Sequence, residues 1–320
     1  MQVWMYKRDA EVGDIVYHDG TYSDIANKLK SPIGICFYID PDDKSRRLMV
    51  ALQSVGTNAN SMQHCLGIAT FNVTLADNPT VDVHDIRLPD HIVSDSLIMT
   101  KPEYLDSKQP DGFKKFDDND CLSDIGFLQL EEDYTYNGKT YNKGEFIPRC
   151  WLNTTGILKM RDMVLEDPNV NLRIPAATST QSVYDNLVEL LGDIVKSNGN
   201  NYDYEQYYYP AASLCFAYEP TVGATRTLKD CFKAGNWALP ALGDLVRLGY
   251  HSLVGNMAER FTKWYNAGYF TPIDVRWNGS HWSSTKNRRE YNWYVQFVQK
   301  QISSVQPISS KWFVRPVAAF

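Results

Sequence analysis

Gly235-Asn-Trp-Ala-Leu-Pro-Ala-Leu-Gly-Asp-Leu245 is the stretch whose reading decides the fold. Trp237 and Leu239 are spaced two apart, the period of a strand with one buried face. Pro240 follows, and its fixed φ and missing N–H suit the first turn of a helix. Leu242, Leu245 and Leu248 then recur at helical spacing, forming an apolar stripe that would cover a sheet. The stretch reads as a strand-to-helix junction whose Trp and Leu residues belong to the core.

Working outward toward the N-terminus, Asp14-Ile-Val-Tyr-His reads as a strand that reverses at Asp19-Gly20. Ser23 and Asp24 are both candidate caps for a short helical turn through Lys30. Pro32-Ile-Gly-Ile-Cys-Phe-Tyr reads as a buried strand, Asp40-Pro-Asp-Asp as a turn, and Arg47-Leu-Met-Val-Ala-Leu as the returning partner. Between residues 71 and 180 the punctuation is irregular. Tyr134-Thr-Tyr-Asn-Gly-Lys-Thr-Tyr is a hairpin signal there, and the whole segment reads as a β-containing insertion.

Toward the C-terminus, residues 183–196 show helical periodicity, as do residues 256–267, where Met257, Phe261, Trp264 and Tyr265 form a stripe. Trp293-Tyr-Val-Gln-Phe alternates, and Trp312-Phe-Val-Arg-Pro-Val closes the chain as a strand. The organisation is α+β. Three parts are expected: 1–70, the insertion 71–180, and 181–320.

Composition narrows the function. Hydrophobic residues at 43% and charged residues at 22% are globular values, while aromatics reach 13%. Tyr and Trp bring contact area at low rotamer cost, so they suit both binding surfaces and sheets. A formal charge of −6 argues against nucleic acid, since phosphate binding needs clustered cations. No apolar run is long enough to span a bilayer, so no membrane insertion is expected. The N-terminus lacks a secretory apolar core, which leads to the expectation of a chain not exported by the general route. The six cysteines match no zinc spacing, and Cys36 and Cys215, set in apolar runs, read as buried thiols.

Four further motifs complete an ordered series with the opening quotation. They are Gly13-Asp-Ile-Val-Tyr-His-Asp-Gly-Thr-Tyr-Ser, His281-Trp-Ser-Ser-Thr, Trp293-Tyr-Val-Gln-Phe and Val314-Arg-Pro-Val-Ala-Ala-Phe. The series resembles C-type-lectin-like domains of Bacteroidales surface proteins and of the variable proteins of diversity-generating retroelements, many of them phage-borne. The resemblance covers both ends of the chain. It implies a C-type-lectin-like fold with a large irregular β-containing insertion, closed by pairing of its first and last strands. It also implies a recognition surface in the C-terminal stretch, where the variable positions of retroelement-diversified relatives lie.

The stretch Trp277-Asn-Gly-Ser-His-Trp-Ser-Ser-Thr-Lys-Asn-Arg-Arg-Glu-Tyr-Asn-Trp-Tyr mixes aromatic anchors with adaptable polar groups. By that likeness the ligand-binding residues are expected to be Asn278, Ser280, His281, Asn287, Arg288, Arg289, Tyr291 and Asn292. The plainer reading is a solvated loop. Trp282 and Trp293 read as framework. Tyr202-Asp-Tyr-Glu-Gln-Tyr-Tyr-Tyr is read as padding rather than as a second binding rim.

Catalysis finds no support in the motifs. Gln109-Pro-Asp111 lies in the insertion, away from where a lectin would hold calcium, and Trp277-Asn-Gly lacks the closing carboxylate. The acidic run 117–124 lacks the glycine and final glutamate of an EF-hand. No cysteine follows Cys231, so the reactive pair of formylglycine-generating enzymes is missing. No hydrolase or phosphate-loop context appears. The expectation is a binding protein with no catalytic residues, no metal and no cofactor. It would sit on a virion surface, with a bacterial cell-surface adhesin or a purely structural virion protein as the alternatives. Its partners would be a host cell-surface protein or glycan and other virion subunits, in a homo-oligomer such as a trimer.

Overall fold

The computed structural model describes residues 8–55, 63–65, 125–166, 210–253, 256–271, 280–288, 291–296, 301–303 and 311–320. In chain order these form β1 (Ile15–Tyr17), β2 (Tyr22–Ser23), β3 (Pro32–Ile39), β4 (Arg47–Ala51), β5 (Gln63–Cys65), β6 (Phe127–Gln129), β7 (Tyr134–Tyr136), β8 (Lys139–Tyr141) and β9 (Phe146–Pro148). Next come α1 (Arg149–Glu166), α2 (Pro210–Ala217), α3 (Leu242–Leu253) and α4 (Asn256–Asn266). The chain continues as β10 (Ser280–Arg288), β11 (Tyr291–Gln296), β12 (Gln301–Ser303), β13 (Lys311–Phe313) and β14 (Val317–Ala319). The class is α+β.

Among the described residues there are two five-stranded sheets, ordered β14-β4-β3-β1-β2 and β12-β11-β10-β13-β5. The first sheet is buried on both faces, which is why β3 reads as an unbroken apolar run. Ile15, Phe37, Leu48 and Val50 face a cluster built with α1, α3 and α4. Val16, Cys36, Met49 and Ala51 face Leu228, Phe232 and Trp237. Period-two alternation supplies both sets.

The β3–β4 hairpin and the Asp19-Gly20 reversal form as expected. So does β7–β8, where Asn137 (φ 48°) and Gly138 (φ 73°) take the positive φ values that a tight two-residue turn demands. Residues 24–30 form turns, not the expected helical turn. The last strand, β14, lies in the same sheet as β1 but pairs with β4. The expected direct pairing of first and last strands is therefore corrected: β3 and β4 lie between them.

The segment read as a β-containing insertion contains the 18-residue helix α1. Its Trp151, Ile157 and Leu158 enter the same cluster as Ile15 and Leu48, so residues 147–158 are part of the main core. The helical reading at 183–196 lies outside the described residues, as do the Tyr-rich 202–209, the acidic run 117–124, Gln109-Pro-Asp111 and Trp277-Asn-Gly.

Between β13 and β14 the chain passes from the second sheet to the first. Arg315 sits at that crossing with 1% exposure, donating to the carbonyls of Ala51 (3.2 Å) and Thr271 (2.7 Å) and lying over the Phe270 ring. Burial pulls its pKa down to about 9.

Candidate functional site

The hairpin β10–β11 carries most of the expected binding residues, and its geometry changes along its length. Near the base the ladder is regular: Ser280 opposes Gln296, His281 opposes Val295, and Trp282 opposes Tyr294. The next pair is Lys286 with Asn292. Three residues of β10, Ser283, Ser284 and Thr285, thus stand against Trp293 alone. That is a pronounced bulge, a device that re-aims a strand.

The bulged residues bond to other elements. The Ser284 N–H donates to the Pro240 carbonyl at 2.8 Å, and Thr285 Oγ1 accepts from the Leu242 N–H at 2.8 Å. Asn153 Nδ2 reaches Ser284 Oγ at 3.4 Å from α1. Asp244 completes the N-terminus of α3: its carboxylate accepts from the Ala241 N–H (3.0 Å) and from the Gly126 N–H (3.3 Å). Thr154 bonds back to the Cys150 carbonyl and accepts from the Leu239 N–H. Buried polar groups require such partners. Pro240 therefore stands two residues ahead of α3 as a hydrogen-bonded junction, rather than in its first turn. The helix runs to Leu253, past the last residue of the Leu242, Leu245 and Leu248 stripe.

Trp282, Tyr294, Leu239 and Val314 form one apolar cluster with Ala211 and Cys215 of α2. Trp237 and Leu239 are fully buried, as are Leu242, Leu245 and Leu248. In α4, Phe261 and Trp264 are buried while Tyr265 is 49% exposed, so the expected stripe excludes Tyr265. Adjacent residues on a helix are turned too far apart to share one face.

The expected binding residues separate into three groups. Ser280 and His281 are buried, at 0% and 1% exposure, and the His281 ring stacks on Phe313. Their assignment to a displayed surface is corrected: both lie at the hairpin base, where the second sheet packs on the core. Asn287, Arg288, Tyr291 and Asn292 lie beyond the bulge, on the two strand ends that flank the turn, with Arg288 opposite Tyr291. Asn278 and Arg289 lie outside the described residues.

Sequence reasoning missed the anchoring role of Ser283, Ser284 and Thr285. The available signal was the run of three small hydroxyl residues behind a buried Trp, a composition suited to capping. Cys36, Cys150 and Cys215 are buried free thiols, and burial pushes each thiol up. Among the described residues no three His, Cys, Asp or Glu side chains gather as metal ligands, and no helix is long and apolar enough to cross a membrane.

What the fold and hairpin define is an α+β protein that anchors one β-ribbon to a helix N-terminus. No protein-family model matches the chain, and no curated protein matches it. It is similar to a solved fimbrial protein from Bacteroides ovatus, at 14% identity and a TM-score of 0.37. That similarity covers 97% of this chain and 49% of the other, so the chain spans about half the length of that protein.

Proposed function

We propose that this chain is a non-catalytic recognition protein with a C-type-lectin-like framework, whose β10–β11 tip binds a host cell-surface protein or glycan. The observation that carries this reading is the bulge at Ser283–Ser284–Thr285. It ties the base of the hairpin to α3 and α1 by buried hydrogen bonds, and it leaves Asn287, Arg288, Tyr291 and Asn292 together on the far side. Aromatic, guanidinium and amide groups are residue types that suit recognition surfaces, and a firmly anchored backbone lowers the freedom lost on contact. The resemblance to phage-borne variable proteins supports display on a virion, as a tail-fibre, tail-tip or decoration subunit. The same resemblance supports diversification of the tip by a retroelement.

The test is binding of fluorescently labelled protein to a panel of gut Bacteroidales cells, with Tyr291→Ala and Arg288→Ala compared to the unaltered chain. The expected result is strain-dependent binding that falls about tenfold or more in the variants while their melting temperature stays unchanged. Binding that survives both substitutions overturns the assignment of the tip.

A further inference from the structure

A second surface lies in the loop of residues 23–30, between β2 and β3. Leu29 is 83% exposed and Ile25 68%, the largest exposures among the described large hydrophobic residues. Single exposed aliphatics are ordinary. These two stand four residues apart on a loop that is firmly held.

Ser23 Oγ accepts from the Ile25 N–H at 3.0 Å, and Asn27 Oδ1 accepts from the Leu29 N–H at 2.9 Å. The Tyr17 hydroxyl donates to the Ile25 carbonyl (3.1 Å) and accepts from the Asn27 N–H (2.8 Å). The Asn27 carbonyl takes the Lys30 N–H, Arg226 donates to the Lys28 carbonyl, and Lys263 of α4 donates to the Asp24 carbonyl. The N–H groups of Ile25, Asn27, Leu29 and Lys30 and the carbonyls of Asp24, Ile25, Asn27 and Lys28 thus have partners within the protein. Both aliphatic residues have their own N–H bonded within the protein, which lowers the cost of bringing their side chains to a lipid interface, where the remaining polar groups still meet water and headgroups.

The rim is cationic. Arg8, Lys28, Lys30, Arg226 and Lys263 border the loop, against the carboxylates of Asp19 and Asp24 and of Glu11 and Asp14, which Arg8 also pairs with. Asp19 is engaged by Lys30 and Asp24 by Arg8, while Lys28 has no ion pair among the described residues. A local excess of positive charge on a chain of formal charge −6 is complementary to an anionic face. Exposed aliphatic side chains on a held loop, with cations beside them, match the two attractions that hold a protein on an anionic bilayer: shallow apolar insertion and headgroup contact.

We propose that the 23–30 loop docks the protein on an anionic lipid surface, inserting Ile25 and Leu29 between headgroups held by the surrounding lysines and arginines. This surface is separate from the hairpin tip and spans no membrane.

Flotation of the full chain with phosphatidylcholine–phosphatidylglycerol vesicles, alongside pure phosphatidylcholine vesicles, tests it. The expected result is co-flotation with the anionic vesicles alone. The bound fraction should drop about tenfold in the Ile25→Ser/Leu29→Ser double variant, and drop as well in Lys28→Glu or at raised salt. Circular dichroism of each variant verifies folding. Absence of flotation overturns the proposal, as it would if the loop served an acidic protein instead. Equal flotation with both vesicle types overturns it too, as does flotation that survives the serine substitutions.

Discussion

Thr285 Oγ1 accepts a hydrogen bond from the backbone N–H of Leu242 at 2.8 Å, across 43 residues of chain. One side chain of a β-bulge thereby caps a helix, and the β10–β11 hairpin and helix α3 become a single mechanical unit. Both groups are buried, so water cannot replace the lost partner.

Removing that acceptor is therefore costly. Thr285→Val, close in shape, is expected to lower stability by about 1–2 kcal/mol, while Thr285→Ser keeps most of it. Urea unfolding of the three proteins measures this. Equal midpoints for Val and Thr would show that the bond contributes nothing.

Gly13 holds a position that a larger residue cannot take without strain. Its φ is +89°, and a Cβ there would lie 2.7 Å from Cβ and Cδ of Arg260. The same turn receives the Trp264 indole N–H on its carbonyl at 2.7 Å, so α4 has little room to retreat. Gly13→Ala is expected to cost about 1–3 kcal/mol. A thermal melt that matches the unaltered protein would contradict the clash.

Asp19 supplies an acid-sensitive contribution. Burial opposes its ionisation, but hydrogen bonds from Lys30 and Thr21 outweigh it and pull the pKa down to about 2 from 3.8. The depressed value means the contribution is fully present above about pH 4 and disappears as pH falls toward 2. The pair is partly exposed, so the effect is small and salt-sensitive. Asp19→Asn should be less stable than the unaltered chain at neutral pH, with the gap closing between about pH 4 and 2. Urea midpoints across that range test it, and a gap independent of pH would refute it.

The described thiols should differ in reactivity. Cys36, Cys150 and Cys215 are buried, with their thiols pushed up by desolvation, whereas Cys231 is half-buried and less strongly raised. Only the thiolate reacts. Iodoacetamide on the native protein at neutral pH, read by peptide mass, should modify Cys231 before the other three. Labelling of Cys215 at a comparable rate would mean that the α2 cluster opens readily.

The elements legible in the sequence are those governed by neighbours along the chain. The Asn137-Gly138 hairpin, the β3–β4 pair and α4 follow from turn chemistry and period, which act within a few residues. Helix α1 was not legible. Thr154, Thr155 and Gly156 are weak helix formers, and the helix persists because Trp151, Ile157 and Leu158 pack into the core. The same limit applied at Ser280 and His281. Polar residues beside an Arg-rich stretch read as surface, yet both are buried in the second sheet.

By itself, then, the sequence determined the α+β class, the Trp237–Leu239 junction and the apolar core, since hydrophobic period and turn residues act locally. Only the tertiary structure decided that β14 pairs with β4, that the Ser-Ser-Thr run caps α3, and that the expected binding stretch divides at Thr285 into anchor and tip. Those outcomes depend on which distant backbone groups need partners once the core is dry, and spacing along the chain does not encode that.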